Sequence, residues 1–213
     1  GQHMHNSAQH ENTIEAYAMD GRPLYRATFT PETEQRLQAN LDEAQRRYEA
    51  EPENPEAIIW LGRRLGYLTR YNEAIKIFSQ GLELHPENYK LLRHRGHRYL
   101  SIRKFELALA DFRAAARLIQ GVADEIEPDG IPNAAGTPTS TNHFNIWYHL
   151  GLTHYLIGEY NAALESYASC LDFCPNDDSI TAVANWQYNT LLRLNRKEDA
   201  QRALDPITGQ MTI

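Results

Sequence analysis

The sequence predicts an all-α fold of repeated antiparallel helix pairs, and three observations predict it. Gly62 and Gly96 stand 34 residues apart, as do Ala74 and Ala108, and Phe78 and Phe112. The same set returns after one longer step: Gly96 to Gly151, Ala108 to Ala163 and Phe112 to Tyr167 are each 55 residues. Between these marks the apolar residues fall at helical spacing, as in Leu61, Leu65 and Leu68, then Ile75, Phe78 and Leu82. Several residue types recurring at one period are the sign of stacked helical repeats. The excess of 55 over 34 places a 21-residue insertion between the second and third units, behind which the repeat resumes in register.

Residues 1–29 precede the repeats. Gly1, Gln2 and His3 ahead of Met4 read as an expression scar, which leaves open a signal peptide removed upstream. His5 to His10 is polar and aperiodic and is expected to be disordered. Ala16 to Phe29 is expected to form an extended arm on the first repeat. Thr30, Pro31, Glu32 and Thr33 read as a helix start, with proline just inside it. Leu37, Leu41, Ala44 and Tyr48 then mark an amphipathic capping helix that ends near Pro52. The repeat domain is expected over 30–213.

The first unit reads Ile58, Leu61, Gly62, Leu65, Ala74, Phe78, Gly81 and Pro86. The second reads Leu92, Gly96, Tyr99, Ala108, Phe112 and Ala115, with Arg95 in place of the leucine and no closing proline. The third reads Trp147, Leu150, Gly151, His154, Ala163, Tyr167, Cys170 and Pro175. A degenerate fourth follows 37 residues on, with Ala184, Leu191, Ala200 and Leu204 at pattern positions and Tyr188 where the glycine belongs. Terminal repeats are often atypical because they close the stack. A mid-helix glycine costs about 1 kcal/mol relative to alanine, so its recurrence marks close helix approach.

Thirty-four residues is the tetratricopeptide-repeat (TPR) period, and the residues above resemble that family from 55 to about 204. The resemblance implies a right-handed α-solenoid of antiparallel helix pairs: three clear repeats, a degenerate fourth and an N-terminal capping helix. It also implies that the first helix of each unit lines a concave groove with its second, fifth, ninth, twelfth and thirteenth positions. The polar and aromatic residues so placed are Glu56, Arg63 and Tyr67; Lys90, Arg93, His97 and Ser101; Asn145, Tyr148 and Tyr155; and Asn185 and Asn189. Arg63, Lys90, Arg93 and His97 form a candidate anion-attracting patch. Tyr67, Tyr148 and Tyr155 are candidates to cover a ligand, and Asn185 and Asn189 to bind a peptide backbone. The expected partner is a protein or peptide, with an acidic segment or terminal carboxylate the favoured chemistry; the alternative is a solvated groove whose charges are satisfied internally. The carboxylate-clamp members of the family carry lysine and asparagine at the fifth and ninth positions of the first clamp repeat. Here Ile59 and Arg63 stand there, so that function does not carry over.

The insertion, Gly121 to His143, holds three prolines and three glycines and is no continuous helix. It reads either as a surface loop or as an ordered loop folded over the groove. Ile126, Ile131 and Pro132 are its candidates for docking. Thr137, Thr139, Ser140 and Thr141 make a hydroxyl-rich run around Pro138, and Thr141 or Asn142 is placed to cap the following helix. Glu125, Glu127, Asp129 and His143 suggest a second function class, a small anionic ligand or cryptic enzymatic pocket roofed by the insertion. Self-assembly through the repeat ends is a third.

Composition narrows the rest. Charged residues are 23%, hydrophobic residues 42% and the formal net charge is −7. That fits a soluble chain, cytoplasmic or exported, which repels nucleic acid and anionic lipid. No stretch approaches the roughly 18 apolar residues of a membrane helix. Cys170 and Cys174 alone cannot build a disulfide framework or a four-ligand zinc site. His94 and His97, three apart on a helix, are the nearest approach to a metal pair, but Arg93, Arg95 and Arg98 flank them. No phosphate-binding glycine loop, nucleophile elbow or paired His–Glu metal motif is present. The expectation is an interaction module and not an enzyme, with no cofactor and no metal.

Overall fold

The computed structural model describes residues 13–131 and 140–209. Among these are nine helices and one hairpin, in the order β1 (Ile14–Tyr17), β2 (Pro23–Tyr25), α1 (Pro31–Ala50), α2 (Pro55–Tyr67), α3 (Tyr71–Leu84), α4 (Tyr89–Ser101), α5 (Phe105–Ile119), α6 (Asn142–Ile157), α7 (Tyr160–Leu171), α8 (Asp177–Arg193) and α9 (Lys197–Ala203). Two compact units divide inside α5, the first ending at Ala108 and the second starting at Leu109. In the first, α1 packs on α2, α2 on α3 and α3 on α4, and α2 also reaches α4. In the second, α6 packs on α7, α7 on α8 and α8 on α9, and α6 touches α8. The fold is the expected TPR helical repeat.

Caps set the element boundaries. Proline opens α1 and α2 at its first position, where its missing N–H costs nothing. Asn54, Asn88, Thr141 and Asn176 cap α2, α4, α6 and α8, each side-chain oxygen accepting from a backbone N–H two or three residues on. The turns out of these helices place Thr69, Arg103, Gly158 and Asn195 at φ of 58°, 66°, 92° and 57°. Those four positions are themselves 34, 55 and 37 residues apart, so the left-handed turn is part of the repeat. The extra three residues of the last interval match the greater length of α8, 17 residues against 13 in α2 and α4.

The core follows the repeat marks. Ala74, Phe78, Ala108, Phe112, Ala163, Tyr167, Ala184 and Ala200 are all within 1% of full burial. A β-carbon on Gly62 would sit 2.2 Å from Phe78 Cε1, and one on Gly151 would sit 2.5 Å from Tyr167 Cε1. Neighbouring repeats meet through a histidine: His94 stacks on Phe78 at 5.9 Å in the first unit, and His149 on Phe112 at 5.7 Å in the second.

Within the segment expected as an extended arm on the first repeat, two strands pair as a hairpin. Gly21 takes φ 86°, and Asp20 Oδ1 accepts from the Arg22 N–H at 3.1 Å, which closes the turn. A bulge between Ile14 and Ala16 turns Glu15 inward. There its carboxylate accepts from Arg26 Nε at 2.6 Å, Asn72 N at 3.1 Å and Asn72 Nδ2 at 2.8 Å. Ala27 N donates to Thr69 Oγ1 at 2.8 Å, so the hairpin is fastened to the α2–α3 turn.

The ends of the insertion form a stem on the second unit. Ile126 bridges Thr141; Glu127 N donates to Ser140 O at 3.1 Å, and Asn142 N to Glu125 O at 2.9 Å. Thr141, one of the two expected caps, is the one used. Ile126 and Ile131, named as docking residues, stand exposed. Pro132, Thr137, Pro138 and Thr139 lie outside the described residues.

Candidate functional site

In the first unit the predicted groove residues gather around one arginine that the pattern did not nominate. Arg63 Nη2 donates to Tyr67 OH at 3.0 Å, one helical turn on along α2. Arg93 is buried on α4, with Nη1 3.4 Å from His94 Nδ1 and 3.5 Å from His97 Nδ1. Arg98 Nη2 lies 2.7 Å from the same His97 nitrogen. Its guanidinium lies over the Tyr71 ring at 5.2 Å, and Nη1 points at the Gly66 carbonyl at 3.5 Å. Burial, aided by the charges of Arg93 and Arg63 and opposed by Tyr71 and Tyr67, lowers the Arg98 pKa to about 10. Thus α2 and α4 bring Arg63, Tyr67, Arg93 and His97 to one place, with Arg98 at its centre.

Lys90 behaves differently. Its Nζ pairs with Glu56 Oε1 at 3.6 Å, so two expected groove charges are paired with each other. His94 and His97 do not converge on a metal position, since His94 packs on Phe78 while His97 faces Arg98. Among the described residues no group of three or more His, Cys, Asp and Glu is arranged to hold a metal ion.

In the second unit, Tyr148 and Tyr155 on α6 meet Trp186 on α8. Trp186 Nε1 donates to Tyr148 OH at 2.9 Å, and the Tyr155 ring meets the Trp186 ring edge-on at 5.1 Å. Burial raises the Tyr148 hydroxyl pKa, against the bond from Trp186. Arg193 Nε donates to Tyr155 OH at 3.3 Å. Asn185 and Asn189 flank Trp186 along α8, exposed. Asn145, a further expected groove residue, is buried and donates to Glu127 Oε2 and Ser140 Oγ at 2.9 Å each, so the insertion stem takes its donors.

Sequence reasoning missed Arg98, Tyr71 and Trp186. Arg98 and Trp186 fall off the groove-facing positions, and Tyr71 opens a second helix. The available signal was Gly66, a glycine one turn after Gly62 that no repeat position requires. A β-carbon there would lie 3.0 Å from Arg98 Nη1.

The described residues of the first unit also line clefts. One of about 290 Å³ lies beneath the hairpin, lined by Leu24, Tyr25, Tyr71, Ser101 and Arg103 among others. One of about 200 Å³ lies between α1 and α2, lined by Trp60 and Arg64 among others, with the Arg64 guanidinium 4.9 Å from the Trp60 ring centre. No described helix is long and apolar enough to cross a membrane.

The packing, caps and recurring turns define a helical-repeat protein. Residues 144–177, one unit of the period, match the family described as tetratricopeptide repeat. The chain thus carries a sequence-matched TPR unit over 144–177. No curated protein matches its sequence. Solved structures of MamA are similar in fold. One is 15% identical with a TM-score of 0.60, covering 82% of each chain. Another, MamA from Desulfovibrio magneticus RS-1, is 17% identical with a TM-score of 0.60, covering 81% of this chain and 84% of that one.

Proposed function

We propose that the chain is a protein-interaction module and that α2 and α4 of its first unit take an acidic segment of a protein partner. The observation that carries this reading is Arg98. Its half-buried guanidinium meets a neutral ring, an imidazole nitrogen and, at longer range, a carbonyl, with no carboxylate among its contacts within the described residues. A partly desolvated cation is costly unless an anion faces it, and an acidic ligand supplies that anion. Arg63, Tyr67 and His97 are half-buried beside it, where an arriving segment reaches them. The second unit offers a complementary surface of its own: exposed Asn185 and Asn189 suit the backbone amides of an extended peptide, next to the Tyr148, Tyr155 and Trp186 rings.

The test is fluorescence anisotropy with a labelled glutamate-rich peptide and its lysine-rich counterpart. Binding of the acidic peptide alone, weakening with salt and falling at least about tenfold in Arg63→Gln, supports the reading. Equal binding of both peptides, or binding indifferent to Arg63, overturns it.

A further inference from the structure

We propose that Cys170 and Cys174 form a peroxide-sensitive pair, in which Cys174 is oxidised first and Cys170 closes a reversible disulfide on it. Both are free thiols, and they meet where α7 runs toward α8. Cys170 stands in the last turn of α7, fully buried, with its Sγ 3.6 Å from Phe144 O. Cys174 follows the helix, partly exposed, and packs against the core cluster that holds Cys170. The turn through Asp172 and Phe173 folds the Cys174 Sγ back to 3.5 Å from Cys170 O. Four residues advance about 6 Å along a helix, inside the α-carbon span that a disulfide bridges. Closure gives up the Cys170 contact to Phe144 O, a small loss for so weak a donor.

Packing requires a thiol at neither place. Position 170 is held by Gly81 and Ala115 in the two earlier units, and position 174 by His85 and Ile119. The two sulfurs also differ in character. Hydrogen bonding with Cys170 lowers the Cys174 pKa below the ordinary cysteine value; burial opposes it and Ser179 assists. The same bond and burial push Cys170 far above that value. The partly exposed thiol is therefore the nucleophile and the buried one the resolving thiol.

The chemistry balances with hydrogen peroxide as the oxidant. The Cys174 thiolate attacks one peroxide oxygen and breaks the O–O bond. The departing hydroxide is protonated to water, and Cys174 becomes a sulfenic acid. The Cys170 sulfur then displaces the sulfenic hydroxyl, which takes the Cys170 proton and leaves as a second water. Together the two sulfurs lose the two electrons that the peroxide gains.

The test treats the full chain with hydrogen peroxide, adds dimedone to trap sulfenic acid, and reads intact and peptide masses. The wild type should end as the Cys170–Cys174 disulfide, lighter by the two thiol hydrogens and restored by dithiothreitol. Cys170→Ala, which places there the residue type of Ala115, should instead accumulate the dimedone adduct on Cys174. Cys174→Ser should form neither product, and serves as the second variant if Cys170→Ala folds poorly. Folded Cys174 should react about tenfold faster than free cysteine. Absence of the wild-type disulfide overturns the proposal, as does dimedone on Cys170 in place of Cys174. Equal trapping in wild type and Cys170→Ala also overturns it, because Cys170 then resolves nothing. So does a folded Cys174 that reacts no faster than free cysteine.

Discussion

The ring of Tyr167 lies against the bare backbone of Gly151, so close that a β-carbon there would stand 2.5 Å from Cε1. Phe78 stands to Gly62 in the same way. Gly151→Ala therefore drives a methyl group into a fully buried ring. Overpacking of this kind costs about 1–3 kcal/mol, more than the roughly 1 kcal/mol that alanine gains over glycine inside a helix. Urea unfolding should show a lowered midpoint. An unchanged or raised midpoint would show that the ring swings aside freely.

Tyr167 differs from Phe78 by a hydroxyl that is buried without a hydrogen-bond partner. Burial pushes its pKa far above the ordinary tyrosine range, with Tyr148, Tyr155 and Cys170 acting in the same direction. An unsatisfied buried polar group costs about 1–3 kcal/mol. Tyr167→Phe is thus expected to stabilise the protein by about 1 kcal/mol in the same unfolding experiment. A loss of stability would reveal a partner for the oxygen, such as a bound water.

The hairpin hangs on Glu15. Its carboxylate is buried between Arg26 and two donors of Asn72, on the far side of the hairpin from exposed Ile14 and Tyr25. Glu15→Ala takes from the half-buried Arg26 its 2.6 Å carboxylate contact and keeps the longer one to Glu73 at 3.3 Å. Hydrogen exchange should then lose protection over 14–27, while the amides of α2 and α3 keep theirs. Retained hairpin protection would refute the assignment of Glu15 as the anchor.

The repeat period made the helical fold legible, because packing residues recur wherever two helices must approach. Ala74, Phe78 and Gly62 carry that information, and each is buried as its position demands. Other features left no such trace. The left-handed turn recurs at the same period, but Thr69, Arg103 and Asn195 adopt it without being glycine, so residue type announces it only at Gly158. The hairpin was hidden because its bulge breaks the alternation that marks a strand. The candidate site was half legible. Family positions named Arg63, Tyr67, Arg93 and His97, but Arg98 reaches the same place past Gly66, by a route no single-helix pattern describes.

The insertion stem depends on Asn145. Its amide donates to Glu127 and to Ser140, one on each side of the stem. Asn145→Ala removes both bonds and leaves the buried Glu127 short of a donor. A loss of about 1–3 kcal/mol is expected, together with faster proteolytic cleavage between Gly121 and His143. Cleavage at the wild-type rate would mean that the bridge between Ile126 and Thr141 holds the stem by itself.

Arg98 itself separates stability from binding. Burial holds its pKa at about 10, below the ordinary arginine range, which is a penalty on the charged form in the folded protein, on the order of 3 kcal/mol at most. A base whose folded pKa is lowered carries that penalty in full wherever the pH is below the folded value. It fades only as the pH climbs above about 10 toward the ordinary arginine range, so at neutral pH it is entirely present. Arg98→Met keeps an unbranched apolar stem against Tyr71 and removes the charge. Thermal unfolding near pH 7 should therefore give a raised Tm, and the acidic peptide should bind more weakly to the same variant. A residue that lowers stability and raises affinity is the signature of a binding group. A variant that loses both would instead make Arg98 a structural cation, held for the sake of His97 and Gly66.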